Sequence, residues 1–119
     1  MNSMNEIDAL QKRLKQFAIE RDWEQFHAPK NLAMALIVEA AELVEHFQWL
    51  TEQQSSELDN DRLQEVAFEL ADIFIYSLRL AERLDIDLLD AVNKKMAINE
   101  KKYPVEKVKG SSKKYTEYT

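Results

Sequence analysis

Four acidic side chains lie inside two stretches of this sequence that are otherwise almost entirely apolar. The acids are Glu39, Glu42, Glu69 and Asp72. Residues 32–44 are apolar apart from the first two acids, and residues 66–78 add only Tyr76 and Ser77 to the other two. The acids of each pair are three positions apart, so on a helix both carboxylates project from one face. Because an apolar helix is buried on most sides, these carboxylates need a positive partner.

A hard divalent cation is the partner that such a cluster favours. Neither apolar stretch contains Lys or Arg. Carboxylate oxygens suit Mg²⁺, which keeps water and phosphate oxygens as further ligands. A di-iron bundle would need Glu-x-x-His on two helices, and the one match, Glu24 to His27, lies outside the apolar stretches. We therefore predict a Mg²⁺ site at the four acids, which Mn²⁺ could also occupy. Solvation of the acids, or pairing with Lys and Arg of other helices, is the alternative.

The composition favours one domain of long helices. The chain has 119 residues, one Gly and two Pro, and neither residue type occurs between Asn31 and Tyr103. This scarcity favours long helices over turn-rich β folds, and it excludes a Gly-rich phosphate loop. The absence of Cys excludes disulfides and thiolate sites. A net charge of −6 argues against binding a nucleic acid polymer. We find no signal peptide and no apolar run that could span a membrane, so we expect a cytoplasmic protein.

The apolar spacing predicts an all-α fold with four main helices. They cover residues 5–21, 31–50, 61–84 and 87–103. Candidate capping residues are Ser3 with Glu6, Asp61 with Gln64, and Asp87 with Asp90. Residues 51–60 form a loop with room for one short helical turn. We predict a helical domain over residues 1–104 and a polar tail over residues 105–119 without an apolar period.

The acid pairs and several further segments together resemble one known family. The segments are ERDWEQFH (20–27), EHFQW (45–49), DIFIY (72–76), KMAIN (95–99), YP (103–104) and SSKKYTE (111–117). With the acid pairs they resemble the MazG-type nucleoside triphosphate pyrophosphohydrolases of the all-α NTP pyrophosphatase superfamily, especially the dCTP pyrophosphatase branch. The resemblance covers nearly the whole chain.

The resemblance implies a fold, an assembly and a reaction. The fold is a four-helix core that assembles into a dimer or tetramer, with active sites completed across subunits. The reaction is hydrolysis of a nucleoside triphosphate between the α- and β-phosphates, giving the monophosphate and pyrophosphate. The implied substrate is dCTP or a related pyrimidine deoxynucleotide, and the implied role is clearing such nucleotides from the pool.

The resemblance also implies roles for individual residues. The four acids match Mg²⁺ ligands, and either Glu39 or Glu42 could act as the general base. Residues that match substrate-binding positions are Trp23, His27, Trp49, Tyr76, Lys95, Asn99, Lys113, Lys114 and Tyr115. We expect the tail, with the last three of these, to close over the phosphates. Leu14 stands where a relative carries a pocket His, which leaves the base preference open. Ala97, Ala40 and Ala41 also depart from the family pattern, outside the metal signature.

A non-catalytic helical interaction module is the second hypothesis. In that case the acidic faces would pair with basic residues of a partner helix. The hydrolase hypothesis predicts stabilisation by Mg²⁺ together with a nucleotide, whereas the interaction module requires neither.

Overall fold

A computed structural model describes residues 5–112, in which every regular element is helical. The α-helices are α1 (Glu6–Glu20), α2 (Pro29–Glu45), α3 (Glu52–Ser55), α4 (Asn60–Arg83), α5 (Leu88–Lys102) and α6 (Val105–Val108). A 3-10 helix, Glu24–Phe26, lies between α1 and α2. The all-α prediction is confirmed. The chain divides into two compact units, one up to Asp85 and one from Ile86 onward. The predicted functional boundary after residue 104 stays a prediction.

Short polar side chains cap the three helices for which the sequence predicts caps. Asn5 accepts from the Asp8 N–H at 2.8 Å, and Asp87 accepts from the Asp90 N–H at 3.0 Å. The Asp87 cap is therefore confirmed. The Ser3 cap is wrong, since Asn5 caps α1, although Ser3 itself lies outside the described residues.

The predicted Asp61 cap of α4 is also wrong. Asp59 has the extended backbone that a cap requires, and it accepts from the Arg62 N–H at 2.8 Å. Asp61 lies inside the first turn, where its charge interacts favourably with the helix dipole.

The second predicted helix is shifted and shortened. It starts at Pro29, whose missing N–H costs nothing at the first helical position, and it ends at Glu45. The short α3 then starts at a reciprocal capping box of Thr51 and Gln54. The predicted loop therefore contains a helical turn, and the tail, expected to lack an apolar period, contains the short α6.

Helix α4 is the central helix of the first unit, because α2 and α1 both pack against it. Its Leu78 is completely buried, and Leu32 of α2 is only 1% exposed. Ala18 of α1 and Ala81 of α4 are also buried. The unit therefore has its core along one face of α4.

Large apolar side chains remain exposed on the other faces of α2 and α4. They are Met34, Ile37, Val38, Val44, Leu63, Phe68, Leu70 and Phe74. Phe68 is 63% exposed and Phe74 is 45% exposed, and on α1 Phe17 is 46% exposed. These three Phe side chains are therefore not core residues of the single chain. None of the described helices is long and apolar enough to cross a membrane.

Candidate active site

Three of the four predicted acids converge where α2 packs against α4. Glu39 comes from α2, and Glu69 and Asp72 come from α4 one turn apart. One carboxylate oxygen of each lies within 4.8 Å of those of the other two. All three side chains are half-buried, as is Glu42 one turn after Glu39. The packing of two apolar helices therefore brings together the acids that each carries.

The cluster lacks internal compensation for its charge. Glu39 Oε2 and Glu69 Oε2 are buried and have no hydrogen-bond partner among residues 5–112. The ion pairs recorded in the same part of the chain involve other acids, such as Glu65, which lies 3.7 Å from His46. Pairing of the four acids with Lys or Arg of this chain is therefore unsupported in the described residues. Two orphaned carboxylate oxygens fit a hard divalent cation, which prefers such ligands.

The electrostatics of the cluster favour retention of a proton up to about pH 7. Burial raises the pKa of Glu39 from 4.5 to about 7, and the proximity of the Glu42 and Glu69 carboxylates, which could share a proton with it, raises it further. The negative charges of Glu42 and Asp72 act in the same direction. Burial also raises the pKa of Tyr76, with Glu39 and Asp72 as further causes. The Tyr76 hydroxyl is therefore a neutral hydrogen-bonding group next to the acids.

Without a metal, the stability of the protein should fall as pH rises toward neutrality. The folded pKa of Glu39 is about 7 and its ordinary value is 4.5, so its stabilisation is complete below pH 4.5 and lost as pH rises through about 7. A divalent cation held by these carboxylates would displace the proton. The rise in Tm on adding Mg²⁺ should therefore be larger at about pH 8 than at about pH 6.

Thermal melts with MgCl₂ or with EDTA at both pH values measure this difference. Glu39→Gln is the control. It lacks the titrating carboxyl, so its Tm without metal should depend less on pH than that of the wild type. An equal Mg²⁺ effect at both pH values would contradict the prediction.

A cavity of about 450 Å³ adjoins the acid cluster within the first unit. Asp72 belongs to both, and Tyr76 one turn later continues the cavity wall. The remaining lining residues are Leu10, Arg13, Leu14, Phe17, Ala18, Trp23, His27, Ile75 and Arg79. The volume lies in the range of small-molecule sites, and the lining is mostly apolar with a few polar groups, as such sites require.

The end of α1 directs Trp23 toward this cavity. Asp22 adopts a left-handed conformation with φ of 54°. The Trp23 N–H then donates back to Ala18 O at 2.9 Å, and the Asp22 N–H donates to Ile19 O at 3.0 Å. This Schellman arrangement places the Trp23 ring edge-on to Phe17, with ring centroids 5.7 Å apart.

Arg79 of α4 holds the segment that follows Trp23. Its guanidinium is 3% exposed and pairs with Glu24 at 2.6 Å and with Glu82 at 2.9 Å. Arg83 contacts the other oxygen of Glu24 at 3.3 Å. His27 lies against the same guanidinium, 3.2 Å from it through Nδ1. The connection between α1 and α2 is therefore fastened to α4 by charged groups.

The structure brings some of the predicted substrate residues to the cavity and leaves others elsewhere. Trp23, His27 and Tyr76 line it, whereas Trp49 does not and is 88% exposed. Lys95 is exposed and Asn99 half-buried on α5, in the second unit. The predicted tail residues Lys113, Lys114 and Tyr115 lie outside the described residues.

Sequence reasoning missed Arg13 and Arg79 as cavity residues. Arg79 follows Asp72 by seven positions, two helical turns along the same face, and it ends an apolar stretch without basic residues. That spacing was a signal that could have found it. Leu14, where a relative carries a His, does lie in the cavity wall.

The fold and the cluster together define an all-α protein with a candidate metal centre beside a ligand-sized cavity. Residues 34–118 match the MazG-like family. The chain belongs to the MazG-like family, which confirms the resemblance read from the acid pairs.

Two groups of relatives support this assignment. Human dCTP pyrophosphatase 1 is 45% identical in an alignment of 116 positions that covers 93% of this chain and 66% of the relative. The bovine dCTP pyrophosphatase 1 is 43% identical over 93% of this chain and 67% of its own length. The chain thus spans about two thirds of the length of these curated relatives. A pyrophosphatase from Archaeoglobus fulgidus is 38% identical, with a TM-score of 0.81 over 87% of this chain and 97% of that one.

Proposed function

We propose that this protein is a Mg²⁺-dependent nucleoside triphosphate pyrophosphohydrolase that prefers dCTP or a related pyrimidine deoxynucleotide. The products would be the nucleoside monophosphate and pyrophosphate. The observation that carries the proposal is the carboxylate cluster at the edge of a cavity lined by Trp23, His27 and Tyr76. Family membership favours this hydrolase over a helical interaction module.

The proposed chemistry divides between the cluster and the cavity. Mg²⁺ bound at the four acids would supply neutralisation of the triphosphate charge and a lowered pKa of water. Glu39, Glu42, Glu69 and Asp72 would hold it on two packed helices. Either Glu39 or Glu42 would accept the proton of the attacking water. The mostly apolar cavity wall would exclude other water from the sugar and base.

The substrate preference rests on the cavity and on the relatives. An aromatic face at Trp23 can stack on any base, so selectivity requires hydrogen bonds to the base edge. Four relatives at 41–45% identity are dCTP pyrophosphatases, which favours cytosine. An apolar wall against the 2′ position would leave a ribose hydroxyl without a partner. Clearing such nucleotides from the pool is the cellular role that follows.

The remaining predicted contacts are part of the same proposal. Lys95 and Asn99 would contact the substrate from α5. Lys113, Lys114 and Tyr115 of the tail would close over the phosphates. Trp49 would meet the substrate only in an assembled oligomer, since this chain leaves it exposed.

Pyrophosphate release tests the function directly. The assay compares kcat/KM for the eight common nucleoside triphosphates and 5-methyl-dCTP at constant Mg²⁺. We expect the highest value for dCTP or its 5-methyl derivative and none without a divalent cation. A clear preference for purine or ribose substrates would overturn the substrate assignment. Absence of pyrophosphate release from every nucleotide would overturn the function itself.

We also propose that the chain forms a homodimer or homotetramer. Eight large apolar side chains of α2 and α4 are exposed, and a concentration of exposed apolar side chains is typical of an interaction surface. Light scattering at micromolar concentration should therefore give a mass at least twice the 14.0 kDa of one chain. A mass of one chain across that concentration range would refute the assembly.

A further inference from the structure

We propose that Arg79 is a positioning residue that fixes His27 as a hydrogen-bond donor toward the cavity, so that the site selects a base with an acceptor atom there. The part that concerns the base rests on the proposed function. The part that concerns His27 rests on the geometry of the free protein.

The Arg79 guanidinium is held in one place by carboxylates on two sides. Nη2 donates to Glu24 Oε1 at 2.6 Å, and Nη1 donates to Glu82 Oε2 at 2.9 Å. Glu24 precedes α2 and Glu82 lies on α4 itself, so the guanidinium connects the two segments. Glu82 is also 3.5 Å from Lys15 of α1. With 3% of its surface exposed, Arg79 cannot turn away without leaving buried charge unpaired.

The contact with His27 determines where the imidazole carries its hydrogen. Arg79 Nη2 lies 3.2 Å from His27 Nδ1. A guanidinium is always protonated and has no acceptor, so Nδ1 must be the acceptor in this bond. In a neutral imidazole the hydrogen then lies on Nε2. Arg79 therefore selects the Nε2–H form of His27.

The surroundings of His27 keep the ring neutral. Burial lowers its pKa from 6.5, and the positive charges of Arg79 and Arg83 lower it further against the opposing charge of Glu24. Asp72, Tyr76 and Arg13 line the same cavity. At neutral pH the Nδ1 acceptor is thus available to Arg79.

The Nε2–H of His27 is free to bind a ligand. Within residues 5–112, the one recorded hydrogen bond of the ring is the one at Nδ1. Since His27 lines the cavity, an Nε2–H donor there suits a carbonyl oxygen such as O2 of a pyrimidine and disfavours an exocyclic amine at that point. Arg79 also lines the cavity, but its guanidinium nitrogens are bonded to Glu24, Glu82 and His27, so in this proposal it acts through His27.

The ring nitrogens of His27 give a test that needs no substrate. The chain has two histidines, so its ¹⁵N spectrum contains two imidazoles, and His46→Asn assigns them. We expect the hydrogen on Nε2 in the wild type near pH 7.5. A hydrogen on Nδ1 would overturn the inference, whether or not the variants fold.

Two matched variants test the consequence for binding. Arg79→Met removes the donor to His27, whereas Arg83→Met removes the other arginine that contacts Glu24 and leaves the Arg79–His27 hydrogen bond in place. We expect KM for dCTP to rise about tenfold in Arg79→Met, with kcat changed less, because one oriented hydrogen bond is lost. The preference of His27 for the Nε2–H form should also be lost in Arg79→Met. Arg83→Met should retain both that preference and the wild-type KM.

The outcomes separate this inference from the proposed function. Equal KM values in the two variants, or a retained Nε2–H form in Arg79→Met, would overturn the inference alone. An inactive wild type with Nε2–H on His27 would overturn the proposed function and uphold the positioning by Arg79.

Discussion

Glu69→Gln and Asp72→Asn should each lower kcat/KM by about a thousandfold while the helices remain folded. Each change removes a carboxylate charge from the proposed Mg²⁺ site, and the metal contributes several kcal/mol of transition-state stabilisation in such reactions. The metal-free variants should be as stable as the wild type or more stable, because repulsion within the cluster is relieved. Steady-state kinetics and circular dichroism melts measure the two effects.

Asp61→Asn is the matched control for this prediction. It makes the same chemical change on the same helix, in the first turn of α4 and at an exposed side chain. Its kcat/KM should stay within about twofold of the wild type, as surface changes away from a site usually have small effects. Full activity of either cluster variant would remove that residue from the metal site.

Trp23→Ala should raise KM for the preferred nucleotide by about ten- to a hundredfold, with a smaller change in kcat. The reason is the loss of a stacking surface in the cavity wall, and base–aromatic stacking contributes about 1–3 kcal/mol per base. Initial-rate measurements over a range of nucleotide concentrations separate KM from kcat.

Trp23→Phe is the control, since it keeps an aromatic face at the same position. Its KM should remain within a few-fold of the wild type. Because Trp23 also packs against Phe17, thermal melts must show that both variants are folded at the assay temperature. A KM for Trp23→Ala equal to that of the wild type would exclude stacking at this residue.

The long helices and the acid cluster were accessible from sequence because both depend on local spacing. The absence of Gly and Pro between Asn31 and Tyr103 leaves few places for the chain to turn. Acids three positions apart share a face in any helix. The caps of α1 and α4 were misplaced by two residues because several Asx and Ser side chains near each start could accept the same bond.

The charged contacts of Arg79 could not be predicted in the same way. Glu24 and His27 precede it by 55 and 52 residues, and only the packing of α1 and α2 on α4 brings them together. The exposure of Phe68 could not be predicted for a different reason. An apolar pattern shows which face avoids water, but it does not show whether this chain or a second copy covers that face.

Helix α4 carries both halves of the candidate active site on one continuous element. Asp72 belongs to the acid cluster, and Arg79, which orients His27, lies seven residues further along the same helix. With a rise of 1.5 Å per residue, these positions are about 10.5 Å apart along the axis. In the proposed function, the backbone of a single helix therefore sets the separation between the phosphates and the base. Side chains in the base pocket can then change during evolution without altering that separation, whereas a one-residue insertion between Asp72 and Arg79 would rotate one half by about 100°. In this architecture, point mutations in the pocket can change which base is bound. They cannot change the distance between the base and the phosphates.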